Sequence, residues 1–253
     1  MSWTAPNLNQ SRHCFFGSEG GVSTGIYAGL NVNTKSDDAR DNLNENLNRA
    51  AAFFHLQKEN LVLLNQGVSS KAVFVDKPSQ DKIEADGLVT TAPQVVLCIR
   101  TADCAPVLLE DRQNGVIGAA HAGWRGAFAG IIENVVRLMI EKGACLENIA
   151  VAIGPCIGQD SYEVDSNFYR QFLDKNRAFA KYFVDGKRAN FYQFDLEEFC
   201  ADRLKDCGLC NISRSGKDTY ILKDEYYSFR RFTHQGIVKK PKCFATELSA
   251  IVL

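Results

Sequence analysis

Two periodicities organise the chain. Residues 94–101 (QVVLCIRT), 115–122 (GVIGAAHA) and 149–153 (IAVAI) are continuous apolar runs, the pattern of strands covered on both faces. Shorter runs at 61–65 and 71–76 predict two more strands around a loop, and 226–229 and 244–253 predict a return to strand near the C-terminus. Helical spacing appears elsewhere. Leu43, Leu47, Ala50, Ala51 and Phe54 form one stripe of a helix predicted over 36–56, with Ser36 as its N-cap. Phe128, Ile131, Ile132, Val135, Val136 and Met139 mark a second over 127–142, ended by Gly143. Segments 166–183 and 195–207 read as two further helices.

Helices and strands are interleaved, and no repeat, linker or low-complexity stretch divides them. The economical reading is one α/β (α+β) domain spanning 1–253, with a mixed β-sheet flanked by helices. The formal net charge of −1 leaves no basic field, so nucleic acid and anionic membranes are not expected partners. The N-terminus MSWTAPNLNQSRH has no apolar core of a signal peptide, and no apolar run reaches the roughly 18–20 residues of a spanning helix. A cytoplasmic protein is expected.

In that setting the nine cysteines (14, 98, 104, 145, 156, 200, 207, 210, 243) are expected to be reduced, most of them packing as small apolar residues. Cys207 and Cys210 form a CGLC that could be half a zinc site or a redox pair. It lacks a second CxxC and straddles the expected end of a helix, which favours packing.

The stretch RTADCAPVLLEDRQNGVIGAAHAGWRG (100–126) concentrates the chemistry. Cys104 follows the 94–101 run, and His121 sits near the end of the 115–122 run. If those two strands are neighbours, thiol and imidazole meet. They could then be two ligands of a tetrahedral zinc, or a nucleophile and its base. Packing is the plain alternative for a lone cysteine. Gly123-Trp124-Arg125-Gly126 adds a helix start and a cation, a combination that suits a phosphate or a carboxylate. An ion pair of Arg125 with Glu110 or Asp111 is the plain alternative there.

TADC, AHAGWRG and IGPCIG, in that order, resemble the YfiH family, also described as the laccase-domain or multicopper polyphenol oxidoreductase family. GGVSTGIYAGLN (20–31), ADGLVTT (85–91), SYEV (161–164) and YYSFRR (226–231) extend the resemblance over nearly the whole chain. It implies an α/β fold related to a group of cysteine hydrolases. It also implies a purine nucleoside phosphorylase acting on adenosine, inosine, guanosine and methylthioadenosine, with adenosine deamination as a side activity. The family's zinc is held by one cysteine and two histidines; carried over by position, these include Cys104 and His121. Cys104, His121 and Asp103 are the implied catalytic residues. Arg125, Arg230 with Arg231, Asn65 and Gln66 are the implied contacts to nucleoside and phosphate.

The second ligand histidine is missing. The family's QVH motif reads Gln66-Gly67-Val68 here, and no histidine lies between His55 and His121. Ser69 or Asp103 would have to substitute for it. Asp218, where relatives often have cysteine, reads as structural. Three other functions stay open: a metal-free Cys–His hydrolase oriented by Asp103 or Asn65, a purine-binding variant without catalysis, and the copper polyphenol oxidase of the older family description. The last is poorly served by four histidines in all, because a four-copper laccase site uses on the order of ten.

Overall fold

The computed structural model describes residues 2–79, 81–238 and 244–253. The apolar run at 94–101 becomes strand β5 (Val96–Thr101), buried along its whole length. Its two faces serve two cores. Leu97 and Ile99 join Phe15, Leu108 and Ile117 between two stacked sheets. Val96 and Cys98 join Leu47, Ala50 and Phe54 beneath helix α1 (Arg40–Phe53). This double burial is why the run shows no polar alternation.

The expected single mixed sheet is therefore two sheets, both mixed. One has the order β1 (Arg12–Phe15), β13 (Glu247–Val252), β5, β2 (Leu61–Leu63). The other runs β12 (Asn211–Arg214), β8 (Ala150–Ile153), β6 (Ala105–Asp111), β7 (Val116–Ala122), β4 (Gly87–Thr90), β3 (Ala72–Phe74). Helices α3 (Ile131–Glu141) and α5 (Leu196–Asp206) cover its outer face through Ile131, Val135, Met139, Phe199 and Leu204. A small sheet of β10 (Phe183–Asp185), β11 (Phe191–Phe194) and β9 (Glu163–Asp165) joins α4 (Ser166–Lys175) in an aromatic cluster around Phe172.

Several expected boundaries move, each for a local reason. The 127–142 helix is two helices, α2 (Trp124–Ala129) and α3, because Gly130 adopts a left-handed φ of +95° between them. The 36–56 helix starts only at Arg40, since the Ser36 hydroxyl donates to the Asn33 carbonyl at 2.7 Å in a turn. The 166–183 helix stops at Lys175, where the Asn176 side chain accepts from the Ala178 N–H and opens a separate 3-10 turn. Segment 226–229 is not a strand. Tyr226 and Tyr227 are buried loop residues, and α6 (Phe229–His234) begins immediately, with Ser228 Oγ accepting from the Arg231 N–H at 3.1 Å. The eight described cysteines are free, and burial pushes the Cys14 thiol up to about 12. Cys243 lies outside the described residues. Among the described residues no helix is long and apolar enough to cross a membrane.

Candidate functional site

The site lies where the chain leaves one sheet for the other. β5 ends at Thr101, Asp103 takes a left-handed φ of +86°, and β6 starts at Ala105 in the six-stranded sheet. Cys104 is the pivot of that crossing. The strand that brings it to His121 is β6, not β5: β6 pairs with β7, with Ala105 opposite Ala122 and Pro106 opposite His121. Cys104 and His121 are thus diagonal neighbours across an antiparallel pair. On the other side of β7, Gly87 of β4 stands opposite Ala120, and the His121 N–H donates to the Asp86 carbonyl at 2.7 Å. Three adjacent strands therefore line up carboxylate, imidazole and thiol in one row.

Asp86 is fully buried and is the hub of this row. Its Oδ1 lies 2.8 Å from His121 Nδ1 and accepts from the Val68 N–H at 3.0 Å. Its Oδ2 accepts from the N–H groups of Gly67 at 3.2 Å and Ser69 at 2.6 Å, and from Ser69 Oγ at 2.7 Å. Burial alone would raise this carboxyl, but the bonds from His121 and Ser69 outweigh it and hold the group at about 2. Burial would likewise depress His121. The Cys104 sulfur and the Asp86 carboxylate overcome that and lift the imidazole to about 9. With Nδ1 committed to Asp86, Nε2 is the nitrogen left for chemistry.

A cavity of about 280 Å³ opens over Cys104. Trp124, Tyr162 and Phe229 give it aromatic walls, Ile157 and Leu196 add apolar surface, and Arg230 adds a cation. Trp124 is fixed from behind by Phe168, 4.5 Å away between ring centroids. The exposed Arg125 guanidinium stacks on Trp124 at 4.3 Å. No carboxylate among the described residues pairs with Arg125, so the ion pair with Glu110 or Asp111 is not formed. Glu110 accepts from the Ser11 N–H, and Asp111 accepts from Asn114 and from the Cys145 N–H.

The remaining predicted site residues have other partners. Asp103 is buried and accepts from Thr219 Oγ1 at 2.7 Å, Ser228 Oγ at 3.0 Å and the Arg230 N–H at 2.6 Å. It ties α6 to the Cys104 turn, and its oxygens are not free to act on His121. Arg230 donates from one terminal nitrogen to the Glu163 carbonyl at 2.8 Å and lies over Tyr162. Arg231 is spent on the carbonyls of Thr219, Tyr220 and Tyr226. Gln66 uses its amide as a strand would, accepting from the Arg100 N–H at 2.9 Å and donating to the Arg100 carbonyl at 2.7 Å. Asn65 donates to Glu84 at 2.8 Å. Neither Asn65 nor Gln66 borders the cavity. Asp218 joins Ser161 Oγ to the Tyr220 N–H.

A zinc does not fit the residues present. Among the described residues no three His, Cys, Asp or Glu side chains are grouped to hold a metal, at Cys104 or at Cys207–Cys210. Val68, in the missing ligand's position, donates nothing. The residues that sequence reasoning passed over are Asp86, Trp124, Tyr162 and Phe229. Asp86 carried one legible signal, an Asp-Gly placed directly before a buried apolar run.

Known proteins share this arrangement of sequence and fold. The sequence model of a family described as multi-copper polyphenol oxidoreductase laccase matches residues 12–238. A purine nucleoside phosphorylase of Rickettsia prowazekii is 39% identical over 199 residues, covering 79% of this chain and 80% of the relative. One of Deinococcus radiodurans is 37% identical over 227 residues, covering 90% and 86%. The crystal structure of the Bacillus licheniformis hypothetical protein YfiH superposes with a TM-score of 0.86 at 26% identity, covering 97% of this chain and 94% of that one.

Proposed function

This chain belongs to the multi-copper polyphenol oxidoreductase laccase family, the YfiH family, and from that premise we propose that it is a purine nucleoside phosphorylase. One observation carries the reading. The thiol end of the carboxylate–imidazole–thiol row opens into a cavity with aromatic walls that Arg230 borders, and Arg125 stacks on Trp124, one of those walls. Flat aromatic walls suit a purine base, and guanidinium groups suit phosphate.

The proposed reaction needs few parts. A phosphate oxygen forms a bond to ribose C1′ as the C1′–N9 bond breaks. The electron pair leaves with the purine, which then takes up a proton. Trp124, Tyr162 and Phe229 hold the base, and Arg125 and Arg230 place the phosphate. His121, oriented by Asp86, presents Nε2 for the proton that moves. Positioning and charge complementarity supply most of the acceleration in such a scheme. Adenosine, inosine, guanosine and methylthioadenosine are the proposed substrates. Adenosine deamination is the side reaction that the resemblance implies, and it would require an activated water. No step is assigned to a zinc, because its ligand set is incomplete here.

The test is a product analysis. Purified protein incubated with adenosine should release adenine and ribose-1-phosphate only when phosphate is present. No phosphate-dependent adenine at any protein concentration would refute the reading.

A second reading has its own observation. Asp86, His121 and Cys104 form an acid–base–nucleophile row of the kind a cysteine hydrolase uses. It predicts fast labelling of Cys104 by iodoacetamide at neutral pH, protected by an acyl substrate and not by nucleoside. A copper oxidase is disfavoured by the chain's four histidines. His13 is bonded at both ring nitrogens, to the Ala5 N–H and the Ser11 carbonyl; His55 is exposed beyond α1; His234 bonds the Tyr220 hydroxyl.

A further inference from the structure

We infer that this chain has lost the metal of its family's site and retains phosphorolysis without it, while hydrolytic deamination is lost; the second half rests on the function proposed above. The observations concern the loop at 66–69. A methyl group built on Gly123 would meet Cys104 Sγ at 2.8 Å and Val68 Cγ1 at 3.3 Å. The Val68 methyl thus shares the thiol's immediate surroundings, and a hydrocarbon stands where a third donor is required.

The nearby oxygens cannot replace it. The Ser69 hydroxyl donates to Asp86 and accepts from the Lys71 N–H. Asp103 is saturated by Thr219, Ser228 and the Arg230 N–H. Asp86 is occupied by His121 and by the loop itself.

The loop's shape argues in the same direction. Val68 has a φ of +60°, a conformation that β-branched residues avoid. Three N–H bonds to Asp86 hold it there. The protein's own Asp86 carboxylate holds this loop and His121 together.

Loss of a metal divides the two chemistries. The nucleophile of phosphorolysis is phosphate, already an anion at neutral pH. Deamination adds a water oxygen to purine C6 and expels ammonia. That water has a pKa near 15.7 unless a metal lowers it to about 7. The first reaction survives the substitution and the second does not.

The experiment measures zinc and products side by side. The parent chain, Val68→His and Val68→Gly are purified from zinc-supplemented cultures, dialysed, and assayed for bound zinc. Zinc affinity is measured by competition with a chromophoric chelator. Each is then given adenosine and phosphate, with and without phenanthroline. The parent should hold far less than one zinc per chain and release adenine, not inosine, unaffected by the chelator. Val68→His should bind zinc about 100-fold more tightly or better and gain inosine. Val68→Gly tolerates the left-handed loop and donates nothing, so it should match the parent even if the histidine variant does not fold. One zinc per parent chain after dialysis would overturn the inference, as would adenine release that phenanthroline abolishes and zinc restores. If no variant cleaves a nucleoside, the proposed function fails, and the zinc competition still decides the metal.

Discussion

Asp86 Oδ1 stands 2.8 Å from His121 Nδ1, and the same carboxylate gathers the N–H groups of Gly67, Val68 and Ser69. One buried side chain therefore sets the tautomer of the imidazole and the course of the loop beside the thiol. Asp86→Asn should break both. Asparagine turns an amide N–H₂ toward donors and leaves buried N–H groups unmatched. We expect kcat/KM to fall by about 100-fold or more and stability by about 2 kcal/mol. Phosphorolysis kinetics and urea melts on the same preparation check this; parent-like kcat/KM would remove Asp86 from the machinery.

Val68 carries backbone strain that only a residue without Cβ escapes. At a φ of +60° the penalty for an ordinary L-residue is roughly 1–2 kcal/mol. Val68→Gly gives part of that back through a floppier unfolded chain and lost contact with the site. The net expectation is a gain of about 0.5–1 kcal/mol in urea denaturation. A loss of stability would mean that the valine side chain packs more strongly than its half-buried position suggests.

Parts of this site were legible in the sequence, for physical reasons. The run at 94–101 fits a strand buried on both faces, and its Val96–Thr101 part is one. Cys104 and His121 stood at run ends beside Asp103 and Gly123, where strands stop and chemistry collects. The wrong inference was the partner strand. Only three residues separate β5 from β6 (APVLLED), and nothing in its composition shows that the chain changes sheets between them. The roles of Asp86 and Gln66 were equally hidden. Each depends on which backbone groups lie opposite across a ladder, and that is a property of register. The aromatic walls come from positions 124, 162 and 229, brought together only by tertiary packing.

Gly123 offers a steric test of the site's closeness. An added Cβ would stand 2.8 Å from Cys104 Sγ and 3.3 Å from Val68 Cγ1, so Gly123→Ala must push the thiol off its position. Activity should fall by about 10-fold or more while far-ultraviolet dichroism stays unchanged, since a misplacement of about 1 Å is costly in a positioned site. Unaltered kinetics would show that the thiol's placement does not matter.

Glu247 gives a stability prediction with a defined sign. It sits opposite Thr101 on β13, is 3% exposed, and neither carboxylate oxygen has a hydrogen-bond partner among the described residues. Burial pushes its carboxyl well up, and the Asp103 charge adds to that, while the Arg231 charge offsets only part. A raised folded value means that the group's contribution is fully present below the ordinary glutamate range and is lost as pH rises above it. Glu247→Gln should therefore be more stable than the parent at pH 7, by about 1–3 kcal/mol, with the gap closing near pH 4. Equal stability at both pH values would show that the carboxyl is solvated or paired after all.

Arg125, Arg230 and Arg231 should separate cleanly into binding and architecture. Arg231 donates to the carbonyls of Thr219, Tyr220 and Tyr226, which its planar fork reaches together and a lysine cannot. Arg231→Lys should cost about 2 kcal/mol in denaturation and leave the KM for phosphate within about twofold. Arg125 is the converse case. It is exposed, stacked on Trp124, and pairs with no carboxylate among the described residues. Its removal should cost less than about 0.5 kcal/mol in stability. It should nevertheless raise the KM for phosphate by about 10-fold, because a guanidinium–phosphate contact is worth about 1.4 kcal/mol or more. Arg230 combines the two roles. Its backbone N–H is held by Asp103 whatever the side chain, while its guanidinium borders the cavity. Arg230→Gln should thus keep α6 in place and weaken phosphate binding. Initial rates over a phosphate series, set against urea melts, read all three variants. An Arg125→Ala variant with the parent's KM for phosphate would reassign the anion to Arg230 alone. If phosphate KM moves only with Arg231, the cavity over Cys104 is not where phosphate binds.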